Sequence, residues 1–208
     1  MDVQVIKDKE VLKDTFPFEI RQLLWGTERI ARTYGYIGFV QDKGFCLKMV
    51  CEEKNPLRVY KNDQDPVYKD SAMEAFFRFE GKDKKVQSVY LNFEMNANGA
   101  LLACYGESRN NRIPFEPEEI KQMNCKAQIE ETGWSVELLL PVEILKSVYG
   151  ELELKEGSVF YCNFYKICES KEAEHYASYN YVESERPNFH LPEYFAKAVI
   201  VAGNKKKL

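Results

Sequence analysis

The sequence predicts an all-β fold: an antiparallel β-sandwich, jelly-roll-like, with one or two short helices. Three observations predict it. Short runs of strict apolar/polar alternation recur along most of the chain, the pattern of a strand with one face in a core. Turn residues separate these runs at short intervals. The chain has 208 residues, 45% hydrophobic and 13% aromatic, enough to bury a substantial core, and a single all-β sandwich commonly reaches this length. It reads as one domain over 1–208, with a lead-in segment over 1–20 and a tail over 203–208.

Residues 16–25 read as a short helix or an extended lead-in. Strand-like runs then follow at 34–40, 45–52, 72–79, 89–95, 100–105, 126–131, 134–140, 158–167, 175–182 and 196–201. Asp42-Lys43-Gly44, Asn98-Gly99, Glu131-Thr132-Gly133 and Glu156-Gly157 supply the turns. Asn-Gly between two alternating runs is a strong hairpin signal. Pro141, followed by an apolar stretch and Gly150, predicts a short helix over 141–149, and 117–123 offers a second. The segments 52–69, 106–116 and 184–193 read as long loops, the kind that rim a site.

The run at 89–96 carries the most information. Val89, Leu91, Phe93 and Met95 point one way, and Tyr90, Asn92, Glu94 and Asn96 the other. In 72–80 the second face holds Glu74, Phe76 and Arg78, and in 158–167 it holds Tyr161, Asn163 and Tyr165. Shared in one sheet, these faces would form a surface of carboxylates, amides and aromatic rings. Such a surface suits hydroxyl-rich ligands, and it equally fits a sandwich with a polar outer face.

Composition excludes several classes. The net charge is -4, and the only basic cluster is Lys205-Lys206-Lys207, read as a solvated tail, so no nucleic-acid partner is expected. No stretch is apolar enough to span a membrane, so no membrane partner is expected. The six cysteines form no CxxC pair, and several sit in apolar runs. They are expected to be reduced and to behave as small hydrophobes. The first residues have no basic start followed by an apolar stretch, so the chain as written reads as cytoplasmic, or extracellular if an export signal has been removed. No zinc-ligand spacing is present. Of the two histidines, His175 reads as a hydrogen-bonded strand residue, and His190 as a neighbour of the site. Trp134 shares parity with Val136, Leu138 and Leu140 and reads as core. Trp25 reads as packing the lead-in onto the sandwich.

Five segments, in order, resemble carbohydrate-binding module family 9 and its relatives. They are Tyr68-Lys69-Asp70-Ser71-Ala72-Met73-Glu74-Ala75-Phe76-Phe77, the run 90–99, the run 134–141, Phe160-Tyr161-Cys162-Asn163-Phe164-Tyr165, and the closing loop Pro187-Asn188-Phe189-His190-Leu191-Pro192-Glu193-Tyr194-Phe195. The likeness runs from about residue 20 to the last strand, and the order and spacing carry it. The resemblance implies a non-catalytic domain that binds a mono- or oligosaccharide. By matched position, Tyr68 and Phe189 would stack on a sugar, and Glu74, Asn96 and Asn163 would hold its hydroxyls. Glu94, Tyr165, Arg109 and His190 are further candidates, with Arg112 beside Arg109 as a possible anion grip. The sequence departs from the family where tryptophan is usual at the stacking positions and where Glu94 replaces an arginine. No cofactor is expected, although the family often carries structural calcium. No calcium loop can be matched here, and the sequence does not fix the oligomeric state.

Two other functions stay open. Glu74 and Glu94 could serve a small glycoside hydrolase as its carboxylate pair, and Glu74, Glu94 and His175 could do acid–base work. Met73 or Met95 with a histidine could hold haem in a related sandwich.

Overall fold

The computed structural model describes residues 1–81, 86 and 88–203, so the lysine tail lies outside the described residues. The strands, in chain order, are β1 (Asp2–Ile6), β2 (Phe18–Ile20), β3 (Gln22–Leu23), β4 (Thr33–Val40), β5 (Gly44–Cys51), β6 (Ala72–Phe79) and β7 (Tyr90–Asn96). They continue with β8 (Leu101–Ser108), β9 (Asn111–Pro114), β10 (Lys126–Glu130), β11 (Gly133–Pro141), β12 (Val159–Cys168), β13 (His175–Ser178) and β14 (Ala196–Val201). Two helices, α1 (Pro117–Met123) and α2 (Val142–Tyr149), stand where proline-led sequence places them.

The hydrogen-bonded order is β10-β11-β5-β4-β1-β14-β12-β6-β7-β8-β9. The path curls so that its two halves pack face to face. Phe45 of β5 lies 5.6 Å from Phe79 of β6 and 5.0 Å from Phe160 of β12, ring to ring. Trp134, Val136 and Leu138 share this core with Phe77, Phe93 and Phe164. The result is the expected β-sandwich, with one correction: it is mixed, not purely antiparallel. β1 pairs in parallel with both β14 and β4. The short alternation Val3-Gln4-Val5-Ile6 has no hairpin neighbour, and it fills the gap between the last strand and β4. Both of its edges are thereby paired, and the two halves of the sandwich are joined.

Three other segments sharpen the expectation. Residues 16–25 take the extended of their two alternatives: β2 pairs β4, and β3 pairs β13. The loop at 106–116 contains β9, which folds back on β8 across an irregularity between Gly106 and Ser108. Gly106 has φ +156°, and a Cβ there would stand 2.0 Å from the carbonyl oxygen of Asn111, so only glycine permits the fold-back. β13 ends at Ser178, leaving residues beyond it to cover the sheet.

That cover is the main departure from a simple sandwich. β7 is buried along its whole length, and β6 nearly so. Odd-numbered residues such as Met73, Phe77, Phe93 and Met95 face the inter-sheet core. Even-numbered Phe76 and Tyr90 belong to a second apolar cluster with Tyr165, Tyr176, Phe189 and Phe195. Met73 and Met95 are fully buried in the inter-sheet core, His190 lies on the opposite face, and both ring nitrogens of His175 are engaged by Lys166 and the Ala173 carbonyl, so no methionine–histidine pair stands open for haem among the described residues.

Polar side chains pin the covering loops. Asn96 donates through Nδ2 to the Tyr60 carbonyl (2.8 Å) and to Asp70 Oδ2 (2.8 Å), and its Oδ1 accepts from the amides of Asn98 (3.0 Å) and Ala100 (3.2 Å). At the end of the inter-sheet core, the buried Lys166 Nζ donates to Ser71 Oγ (2.7 Å) and His175 Nε2 (2.8 Å), with Glu53 Oε2 3.6 Å away. His175 donates from Nδ1 to the Ala173 carbonyl, so its Nε2 is free to accept. Burial and the Lys166 charge push its pKa down to about 4, keeping the ring neutral. This is the hydrogen-bonded strand histidine that the sequence predicts. Asn96→Ala should lower unfolding stability by about 2–3 kcal/mol, because it leaves buried carbonyl and amide groups unpaired; urea denaturation of the two proteins measures the difference.

Candidate functional site

The loop-covered face of β6 and β7 encloses a cavity of about 220 Å³. Its floor is set by strand register. Glu74 of β6 stands directly opposite Glu94 of β7, and Tyr165 of β12 opposite Glu74 on the other side. Both carboxyls are at least nine-tenths buried, with exposures of 2% and 4%. Glu94 Oε1 accepts from Asn92 Nδ2 at 3.0 Å, while its Oε2 is buried without a partner. Burial pushes Glu94 up to about 7. Burial and the neighbouring Glu94 charge push Glu74 well above the usual carboxylate range.

Arg112 orders one wall. Its Nη2 donates to Asn92 Oδ1 and to the carbonyls of Tyr90 (3.2 Å) and Cys104 (3.1 Å), and its Nη1 to Gly106 (2.9 Å). The guanidinium also lies 4.1 Å over the Tyr90 ring. Arg109 is half-exposed at the rim, donating to the Pro187 carbonyl (3.0 Å) and standing 4.0 Å from Glu169. The Tyr90 hydroxyl meets His190 Nδ1 at 2.9 Å. Burial raises the tyrosine to about 12, whereas burial and the two arginine charges lower His190 to about 3. Tyr90 is therefore the donor, and His190 is neutral with its proton on Nε2.

Aromatic rings form the remaining walls. Phe189 is buried and stacked on Tyr165, centroids 4.0 Å apart and planes 18° apart. Trp25 packs 5.3 Å from Phe189 and edge-on to Tyr176 at 5.5 Å. Its backbone is left-handed, φ +49°, and its indole Nε1 donates to the Ser184 carbonyl at 2.8 Å. Tyr68 is half-buried, and its carbonyl accepts from the Glu169 amide.

The cavity thus brings together Tyr68, Glu74, Glu94, Arg109, Phe189 and His190, with Tyr165 packed beneath Phe189. It does not bring in Asn96 or Asn163. Asn96 clamps the 57–70 loop as described above. Asn163 Nδ2 donates to the Asn180 (3.0 Å) and Tyr194 (3.4 Å) carbonyls, and its Oδ1 accepts from the Asn180 amide (2.9 Å). Both amides already hold backbone, which alternation cannot reveal. Trp25, Tyr176 and Glu169 line the cavity without having been expected there. For Trp25 the available signal is the Trp-Gly pair, a turn that lifts a large ring off the sheet. Among the described residues, no group of three or more His, Cys, Asp or Glu is placed to hold a metal ion. The acids nearest the covering loop are engaged elsewhere: Asp63, Asp65 and Asp70 accept from the amides of Leu101, Asn62 and Tyr60. The calcium implied by the resemblance finds no cluster of carboxylates among the described residues.

The acidic pair makes stability depend on pH. A carboxyl whose pKa is raised on folding binds more protons in the folded state, so its contribution is complete below the unfolded value and is lost as pH rises through the folded value. His175 and His190, held neutral by lowered values, act in the opposite sense up to about 6.5, so the pair is isolated by comparison with a variant. The stabilisation of the native protein relative to Glu94→Gln should therefore shrink as pH rises from about 4.5 to beyond about 7; thermal melts of both proteins across this range measure it.

No curated protein matches the chain in sequence. A candidate carbohydrate-binding protein from Bacteroides uniformis superposes with a TM-score of 0.79 at 21% identity, over 96% of this chain and 98% of that one. A family 9 carbohydrate-binding module from Caldicellulosiruptor kristjanssonii, solved with glucose, superposes with a TM-score of 0.62 at 11% identity, over 100% of this chain and 98% of that one. The same kind of module from that organism with cellotriose gives 0.61 at 11%, over 100% and 97%. At these identities the likeness shows a shared fold. The sequence model of carbohydrate-binding family 9 matches residues 18–200, nearly the whole described chain, and the protein therefore belongs to carbohydrate-binding family 9.

Proposed function

We propose that this protein is a non-catalytic carbohydrate-binding domain whose ligand enters the cavity over β6 and β7. The observation that carries the reading is the pairing of aromatic walls with a hydrogen-bonding floor in one pocket, on a fold shared with modules solved with glucose and cellotriose. Sugar rings present apolar C–H faces and a girdle of hydroxyls. The half-buried Tyr68 offers a stacking face, Trp25 a second, and Phe189, backed by Tyr165, a fixed wall. Glu74 and Glu94 accept from hydroxyls, and Asn92, held by Arg112, keeps Glu94 in place. Few mobile groups need ordering on binding, which limits the entropic cost.

A second reading draws on the register. Directly opposed cross-strand residues have Cβ atoms about 4.5–5.5 Å apart, and retaining glycoside hydrolases hold their two carboxyls about 5–5.5 Å apart. Glu74 and Glu94 would be the pair. Calorimetric titration against mono- and oligosaccharides should give saturable binding, abolished by Glu74→Ala and weakened about tenfold, or about 1.4 kcal/mol, by Tyr68→Ala. No change in reducing ends should accompany it. Turnover lost in Glu74→Gln with binding retained would transfer the assignment to hydrolysis.

A further inference from the structure

We propose that the saccharide taken by this cavity carries a free amine, seated as an ammonium between the carboxylates of Glu74 and Glu94. The inference rests on the carbohydrate-binding reading and specifies its ligand. Three observations lead to it. First, two carboxyl groups occupy one cross-strand position at the floor of a cavity, each at least nine-tenths buried. Among the described residues, no lysine, arginine or histidine is within ion-pair distance of either. Two carboxylates side by side repel one another unless a cation or a proton lies between them.

Second, Glu94 Oε2 is buried without a hydrogen-bond partner. Its sister oxygen is already held by Asn92, so a residue lining the cavity keeps one buried acceptor unpaired. An ammonium has three donors, enough for both carboxylates together with a further acceptor. A buried acceptor left unpaired is costly, and a charged donor satisfies it best.

Third, with both floor carboxyls ionised, the charge balance of the lining is short by one cation. Glu74, Glu94 and Glu169 face Arg109 and Arg112, and His190 is neutral. Arg112 is committed to four acceptors on β7, β8 and their surroundings, and Arg109 to the Pro187 carbonyl and Glu169 at the rim. Neither guanidinium forms an ion pair with the floor carboxyls. Tyr165, the group facing Glu74 from β12, stays an uncharged phenol because burial raises it well above the usual range. A bound ammonium brings the site to neutrality. In its absence a proton shared by the pair does so.

The test is a calorimetric titration of the full chain with three amino sugars, glucosamine, galactosamine and mannosamine, each paired with its hydroxyl counterpart and with its N-acetyl form. At about pH 7, at least one amine should bind roughly tenfold or more tightly than its hydroxyl partner, and N-acetylation, which removes the charge, should abolish that advantage. Protonating the floor at about pH 5 should shrink the gap. Glu94→Gln should equalise amine and hydroxyl partners while melting as a folded protein. Hydroxyl sugars binding as tightly as their amines would overturn the inference and leave the carbohydrate reading intact. No binding by any monosaccharide or by cellotriose would overturn both.

Discussion

Side chains of β6, β7 and β12 alternate between two environments, and both exclude water. Odd-numbered positions of β6 and β7 enter the inter-sheet core around Phe77, Phe93 and Phe160, and even-numbered ones enter a second cluster beneath the loops. A polar group on the second face must therefore find a partner in the loops, in a neighbour or in a ligand. Asn96 and Asn163 find backbone, and Tyr90 finds His190. The two glutamates find no such partner for their full charge, and the cavity opens over them. The site is the part of a doubly buried sheet that the protein itself leaves unsatisfied.

This constraint also explains what the sequence reveals and what it hides. Period-two alternation in 89–96, 72–80 and 158–167 is a local property, so it correctly places Glu74, Glu94 and Tyr165 on one face. The short helices are legible because proline and glycine act within one turn of chain. The parallel insertion of β1 is not, because its partners lie at the far end of the chain and in β4, and nothing local encodes a pairing with Val199 or Gly38. The same limit applies at the site. Asn96 and Glu74 carry the same parity, yet one clamps a loop and the other floors a cavity. The difference lies in whether the loop at 57–70 or empty space lies above them. Trp25 is hidden for a related reason: it sits in a short extended segment whose contacts, Tyr176, Ser184 and Phe189, all come from a region some 150 residues later.

The loops that roof the site are held by chemistry that cannot compete with a ligand. Asn96 and Asp70 fix the 57–70 segment through backbone amides and carbonyls, and Lys166, Ser71 and Glu53 tie the same region to β12 from the core side. Asn163 and Asn180 do likewise for the segment before β14, both donating to the Tyr194 carbonyl. Of these anchors, Asn96, Asp70, Lys166, Ser71, Glu53, Asn163 and Asn180 all lie outside the cavity lining. Rigidity of the walls and vacancy of the floor are thus separate properties, supplied by different residues. A change of ligand preference needs substitution only at the floor.

The two tryptophans of the chain stand in contrasting places. Trp134 is sealed in the inter-sheet core, with its indole nitrogen turned to Glu53. Trp25 is half-buried in the cavity wall, beside Phe189, and lines the same cavity as the acidic pair. Indole emission responds to nearby water and charge, so the constant Trp134 serves as an internal reference while Trp25 reports who occupies the pocket. The protein carries its own optical gauge of occupancy, and no label need be attached to read it.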